Sequence, residues 1–206
     1  TLEDWEHDIS TALSLQVEHL SAYCLMVEEN TPLHRRLNGQ QPIDEETERA
    51  MYETLIDKLA AAGYEHYEIS NFAKQGRHSR HNSNYWREVP YVGLGAAAHS
   101  YDLRHRSWNV ADIHQYITAV ELGELPSEQE VIDEDTRYND RITVALRTKE
   151  GPDLNTLTEP YRHYCLQEAR RFLDDGLLHL DENHLSLTRK GLFVSDYVMS
   201  SLIYLS

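Results

Sequence analysis

The sequence predicts an α/β fold in two parts. A strand–helix–strand portion spans residues 1–108, and a mostly helical, winged-helix-like portion spans residues 109–206. Three observations carry this division. Residues 19–27 form an apolar run with no polar face, the pattern of a strand buried on both sides. A capped amphipathic helix and a second short apolar run follow it, which predicts a βαβ unit with a right-handed crossover. Beyond residue 108 the apolar residues recur at helical spacing, interrupted once by two short strands around a polar turn.

The elements follow in order. Thr1 can cap an opening helix, with Asp4 as its capping-box partner and Trp5, Ile9 and Leu13 on one stripe. The run His19 to Val27 reads as the central strand, with Cys24 as a small buried residue, and Glu28 to Pro32 breaks the pattern. After a polar loop, Asp44 caps a long helix whose first turn is acidic (Glu45, Glu46, Glu48) and whose stripe is Met51, Leu55 and Leu59. Gly63 stops that helix, and Tyr64 to Ile69 form the second strand. Residues 71–90 read as an irregular basic segment (Lys74, Arg77, His78, Arg80, His81, Arg87). Tyr91 to Ser100 read as a short strand entering a small-residue loop.

In the second part, Asn109 is expected to cap a helix carrying Val110, Ile113, Ile117 and Val120, ended by Gly123. Pro126 to Glu134 reads as an acidic linker. A helix with Ile142, Ala145 and Leu146 follows, then one begun by Pro160 with Tyr164, Cys165, Ala169, Phe172 and Leu173 inward. Leu177–Leu180 and His184–Leu187 form the wing around Asp181–Asn183. Thr188 caps a final helix carrying Leu192, Tyr197, Leu202 and Leu205.

Composition narrows the function. Nineteen Lys and Arg against 35 Asp and Glu give a formal charge of −16, which argues against binding a phosphate backbone or an anionic lipid surface. No apolar run approaches the roughly 20 residues of a membrane helix. Two cysteines, Cys24 and Cys165, are too few for a disulfide framework or a CxxC zinc site, which fits a reducing cytoplasm. Twelve histidines invite a search for a metal or haem site.

The densest chemistry is Arg80-His81-Asn82-Ser83-Asn84-Tyr85-Trp86. An imidazole can ligate haem iron, aromatic faces can pack on a flat macrocycle, and Arg77 or Arg80 could pair with propionates. The same residues could equally form a capped loop anchored in the core by Tyr85 and Trp86. The loop from Gly93 through Gly95 to His99 and Ser100 is a second candidate, because small residues beyond a parallel strand suit ligand binding, or simply tight packing. Glu28, just past the first strand, is either a cavity carboxylate or an exposed loop residue. The mixed charge of Arg162, Glu168, Arg170, Arg171, Asp174 and Asp175 disfavours a DNA-reading helix.

Several stretches together resemble a known family. These are Tyr67-Glu68-Ile69-Ser70-Asn71-Phe72-Ala73, the Arg80–Trp86 segment, and Tyr91-Val92-Gly93-Leu94-Gly95. To them are added His19-Leu20-Ser21 with Tyr23, Leu25, Glu28 and Thr31-Pro32, then Arg137–Asp140, Leu146–Thr148, Gly151 and Leu187-Thr188 with Gly191. The sequence resembles radical S-adenosylmethionine proteins related to oxygen-independent coproporphyrinogen III oxidase, and within them the haem chaperone branch, which the His81-Asn82-x-x-Tyr85-Trp86 signature marks.

That resemblance implies the C-terminal half of a partial (β/α) radical-SAM barrel over 1–108 and the family's C-terminal domain over 109–206. It implies haem as cargo, with His81 as iron ligand and Asn82, Tyr85 and Trp86 shaping the site. It implies haem-accepting proteins as partners, with neither nucleic acid nor a membrane segment. It places Tyr23, Gly93 and Gly95 at the barrel mouth near S-adenosylmethionine. The family's Cys-x-x-x-Cys-x-x-Cys motif for a [4Fe–4S] cluster has no counterpart here. The chain is therefore expected to be the C-terminal portion of a longer protein, holding no cluster itself. A cut barrel edge predicts exposed apolar surface and a homodimer. The rival activity is oxidative decarboxylation of coproporphyrinogen III, with the basic segment holding substrate carboxylates.

Overall fold

The computed structural model describes residues 1–38 and 43–205, so part of the polar loop before Asp44 lies outside the described residues. It divides into two compact units, Thr1–Ser79 and Arg80–Ser206.

In the first unit, helix α1 (Leu2–Ser14) starts at the predicted capping box of Thr1 and Asp4. Helix α3 (Glu45–Ala61) starts at Asp44, whose carboxylate accepts the Thr47 N–H at 2.9 Å. Between them lie β1 (His19–Ser21) and a short helix α2 (Pro32–Arg36). Strands β2 (Tyr64–Glu68) and β3 (Asn71–Lys74) complete the sheet. The core is Ile9, Leu55, Leu59, Tyr64 and Phe72, with Trp5 and Leu13 packed against it, so the predicted stripe of α1 points inward, as do Leu55 and Leu59 of the α3 stripe. The Trp5 indole N–H also donates to the Met51 carbonyl at 2.9 Å, which ties α1 to α3.

The sheet corrects two expectations. Its order is β1-β3-β2, and β3 is antiparallel to both neighbours. β1 and β2 therefore run in the same direction, as a strand–helix–strand unit requires, but they are not paired. Only Ile69 and Ser70 separate β2 from β3, so the chain doubles back as a hairpin and β3 takes the middle place. The first strand also stops at Ser21, and Tyr23, Leu25 and Met26 are 73%, 60% and 73% exposed. Beyond the Ala22 N–H, which donates to the Ser70 carbonyl at 2.9 Å, no described strand pairs with this run. Cys24 is accordingly exposed rather than buried. Its thiol donates to Glu48, and desolvation with that carboxylate neighbour pushes its pKa up to about 11.

The second unit opens with helix α4 (Arg80–Trp86), so the segment expected to be irregular holds β3 and a two-turn helix instead. Strands β4 (His99–Tyr101), β5 (His105–Asn109) and β6 (Ser127–Val131) form an antiparallel sheet in that order. The supposed acidic linker is thus mostly an edge strand. All five residues of β6 are exposed, and Arg106 on β5 pairs with Glu130 at 3.0 Å. Charged residues suit an edge strand, which must not template further pairing. Asn109 ends β5 and is buried. Asp112, not Asn109, caps helix α5 (Ile113–Glu121).

The remainder follows the predicted order. Helix α6 (Glu134–Ala145) buries Tyr138 and Ile142, and a 3₁₀ turn (Leu154–Thr156) leads to α7 (Glu159–Asp174). α7 buries Cys165, Ala169 and Phe172 as expected. The wing is β7 (Leu178–Asp181) paired with β8 (His184–Leu187). The last helix is two, α8 (Arg189–Leu192) and α9 (Ser195–Ser201), so the inward residues become Val198, Met199 and Leu202, while Tyr197 and Leu205 are exposed. Asn139 pins the C-terminal segment by exchanging two hydrogen bonds with the Tyr204 backbone, at 3.0 and 2.7 Å.

Candidate functional site

Helix α4 carries all four residues of the His81-Asn82-x-x-Tyr85-Trp86 signature. His81 and Tyr85 stand four residues apart, so they lie on one face, one turn above the other. The Tyr85 hydroxyl lies 3.2 Å from His81 Nε2, and the rings meet edge to face with centroids 5.0 Å apart. Tyr85 also meets Tyr91 edge to face at 4.8 Å. Tyr91 is fixed in turn by two backbone hydrogen bonds with Tyr101, each 2.9 Å. Burial raises the pKa of both the Tyr91 and Tyr101 phenols, keeping them neutral. His81 is exposed, so a planar ligand can reach its imidazole.

Trp86 is half-buried, and the Arg147 guanidinium lies 5.2 Å from its ring centre, a cation–π contact. Its indole N–H is buried with no hydrogen-bond partner among the described residues. Just past α4, Glu88 accepts from Arg141 Nε at 2.8 Å, and Arg141 also donates to the Thr156 carbonyl at 2.9 Å. These contacts seat the end of α4 on α6 and leave the His81–Tyr85 face free of that anchoring. Asn82 is half-buried on the same helix.

The Gly93–Ser100 segment is tightly folded on itself. A Cβ on Gly93 would lie 2.1 Å from the His99 carbonyl oxygen, so glycine is required there by the chain's own backbone. Gly95 has φ +111° with open space around its α-carbon. Its N–H donates to the Tyr116 hydroxyl at 3.2 Å, and its carbonyl accepts from Asn109 Nδ2 at 2.8 Å. Tyr23 lies in the first unit, outside any strand, with its ring exposed.

Residues 132–194 match the HemN C-terminal domain. Over 98% of the chain, the sequence is 33% identical to the haem chaperone HemW of Bacillus subtilis and 31% identical to that of Mycobacterium tuberculosis H37Rv. Those stretches are 55% and 51% of the relatives' lengths, so the chain spans about half of the curated relatives it matches. The Escherichia coli haem chaperone HemW is 39% identical over 48% of the chain and 26% of its own length. The fold matches the radical SAM enzyme coproporphyrinogen III oxidase HemN of Escherichia coli with a TM-score of 0.77, over 98% of this chain and 52% of that one, at 16% identity. The chain is thus similar over nearly its whole length to haem chaperones, carries a HemN C-terminal domain match, and shares the HemN fold.

The likeness to a radical SAM enzyme raises the question of a cluster. A [4Fe–4S] centre is held by cysteine thiolates, usually four. The sequence has two cysteines, Cys165 is fully buried in the core, and the described residues contain no group of three or more His, Cys, Asp or Glu placed to hold a metal. The residues present do not fit the cluster. Sequence reasoning also missed Glu88, Arg141 and Arg147, which seat α4. Arg147 lay within a stretch already matched to the family, but only the fold shows it stacked on Trp86.

Proposed function

We propose that this chain is the haem-handling part of a haem chaperone of the radical SAM superfamily, which binds haem and passes it to acceptor proteins. The observation that carries the proposal is the exposed His81 imidazole on the anchored helix α4, in a chain related over 98% of its length to haem chaperones. Imidazole is a common haem-iron ligand, and neutral histidine binds through a ring nitrogen. Asn82, Tyr85 and Trp86 shape the surroundings, and exposed Arg77 or Arg80 supplies a guanidinium partner for a propionate. Residues 1–108 belong to the barrel and 109–206 to the C-terminal domain. In the intact protein, Tyr23, Gly93 and Gly95 border S-adenosylmethionine, which in this family supplies a 5′-deoxyadenosyl radical. Haem-accepting proteins are the partners, the exposed Tyr23–Met26 run mediates self-association, and the site of action is the cytoplasm. No described helix is long and apolar enough to cross a membrane.

The competing activity is decarboxylation of coproporphyrinogen III, to which the fold is equally suited. Two assays on the intact protein separate them. Haem-loaded protein should hand haem to a haem-free acceptor, and anaerobic incubation with coproporphyrinogen III should yield no decarboxylated product. Decarboxylation without haem transfer would reverse the assignment.

A further inference from the structure

The iron-binding atom proposed for His81 is already occupied. Nε2 of His81 lies 3.2 Å from the Tyr85 hydroxyl, with the phenol ring edge-on to the imidazole at 86°. If the phenol donates, it takes the Nε2 lone pair that iron needs. If Nε2 donates instead, the nitrogen carries a proton where iron would sit. Iron and Tyr85 therefore compete for one atom in either tautomer. Tyr85 is held in this place from behind, by its edge-to-face contact with Tyr91, which two backbone hydrogen bonds fasten to Tyr101. Yet its side chain is 38% exposed, so it has room to swing aside.

We propose that Tyr85 is a latch on His81: it closes over Nε2 in the haem-free protein, yields when haem binds, and re-closes as haem leaves. The proposal rests on the assignment of His81 as iron ligand and adds to it a means of release. A carrier must surrender its cargo, and an internal competitor for the ligand atom weakens the loaded state without removing the ligand. A ligand that must displace such a contact binds more weakly by the fraction of protein in the open state. One exposed hydrogen bond makes this about threefold.

The test is a haem titration of the intact protein and of Tyr85→Phe, His81→Ala and the double variant. Phenylalanine keeps both ring contacts and removes only the hydroxyl, so the fold is preserved. Tyr85→Phe should bind haem about threefold more tightly and transfer it more slowly to a haem-free acceptor. The same change in the His81→Ala background should have no effect. In the haem-free protein, the ¹⁵N resonance of His81 Nε2 should move on Tyr85→Phe. If His81→Ala loses haem while Tyr85→Phe gains no affinity, or the Nε2 resonance stays in place, the latch is wrong. If His81→Ala binds haem as the parent does, the ligand assignment fails and the latch with it.

Discussion

A methyl group at Gly93 would meet the His99 carbonyl oxygen at 2.1 Å, and only the backbone could move to relieve it. Gly93→Ala should therefore destabilise the protein by about 2 kcal/mol or more, read as a lower thermal midpoint. Four residues on, Ala97 adopts φ +58°, a conformation costly for an L-residue. Ala97→Gly should be neutral or raise stability by up to about 1 kcal/mol in the same measurement. The small-residue run was legible as a place of close approach. What approaches was not, because the partner is a backbone carbonyl that leaves no mark in composition. A Gly93→Ala protein with an unchanged midpoint would refute the packing account.

Among elements, the β2–β3 hairpin is built around buried polar groups. The Glu68 carboxylate accepts the Ser70 N–H at 3.0 Å and the Asn71 amide, and Ser21 donates to Asn71 Oδ1 at 2.6 Å, which ties β1 to the turn. Asn71→Ala strips one partner from a buried carboxylate and should cost about 1–3 kcal/mol in denaturant unfolding. Beside it, His66 stacks on Phe72 at 4.2 Å and lies 3.0 Å from the Ile69 carbonyl. Burial depresses the His66 pKa against the opposing pull of that carbonyl and of Glu68. The unfolded chain then binds the proton more readily. The His66 contribution to stability is complete above about pH 6.5 and is lost as pH falls through the lower folded value. NMR titration should place the His66 midpoint below the ordinary value, and a midpoint at or above it would contradict the burial argument. Helix caps at Thr1, Asp44 and Thr188 were legible because capping is local. The β4–β6 sheet was not, because β6 is an exposed edge strand whose polar residues lack the alternating pattern.

At the scale of the whole molecule, Tyr23, Leu25 and Met26 expose a continuous apolar segment that the sequence assigned to a buried strand. The apolar pattern was read correctly, but burial depends on neighbours, and no described strand pairs with residues 23–27. Contiguous apolar surface of this kind favours association. Sedimentation of this chain should show self-association that weakens when Leu25 and Met26 are changed to Ser; a strict monomer would contradict it. The signature residues were likewise legible as a group, yet their presentation on a helix was not. Helical spacing is what sets His81 beside Tyr85 on one face and lets Trp86 meet Arg147. The central claim is that His81 takes the haem iron, and the most direct measurement is a haem titration of the intact protein followed through its Soret band, compared with His81→Ala. The account predicts at least a roughly tenfold loss of affinity, about 1.4 kcal/mol, with a changed Soret band and an unchanged fold. Equal affinity and an identical spectrum in the two proteins would contradict it.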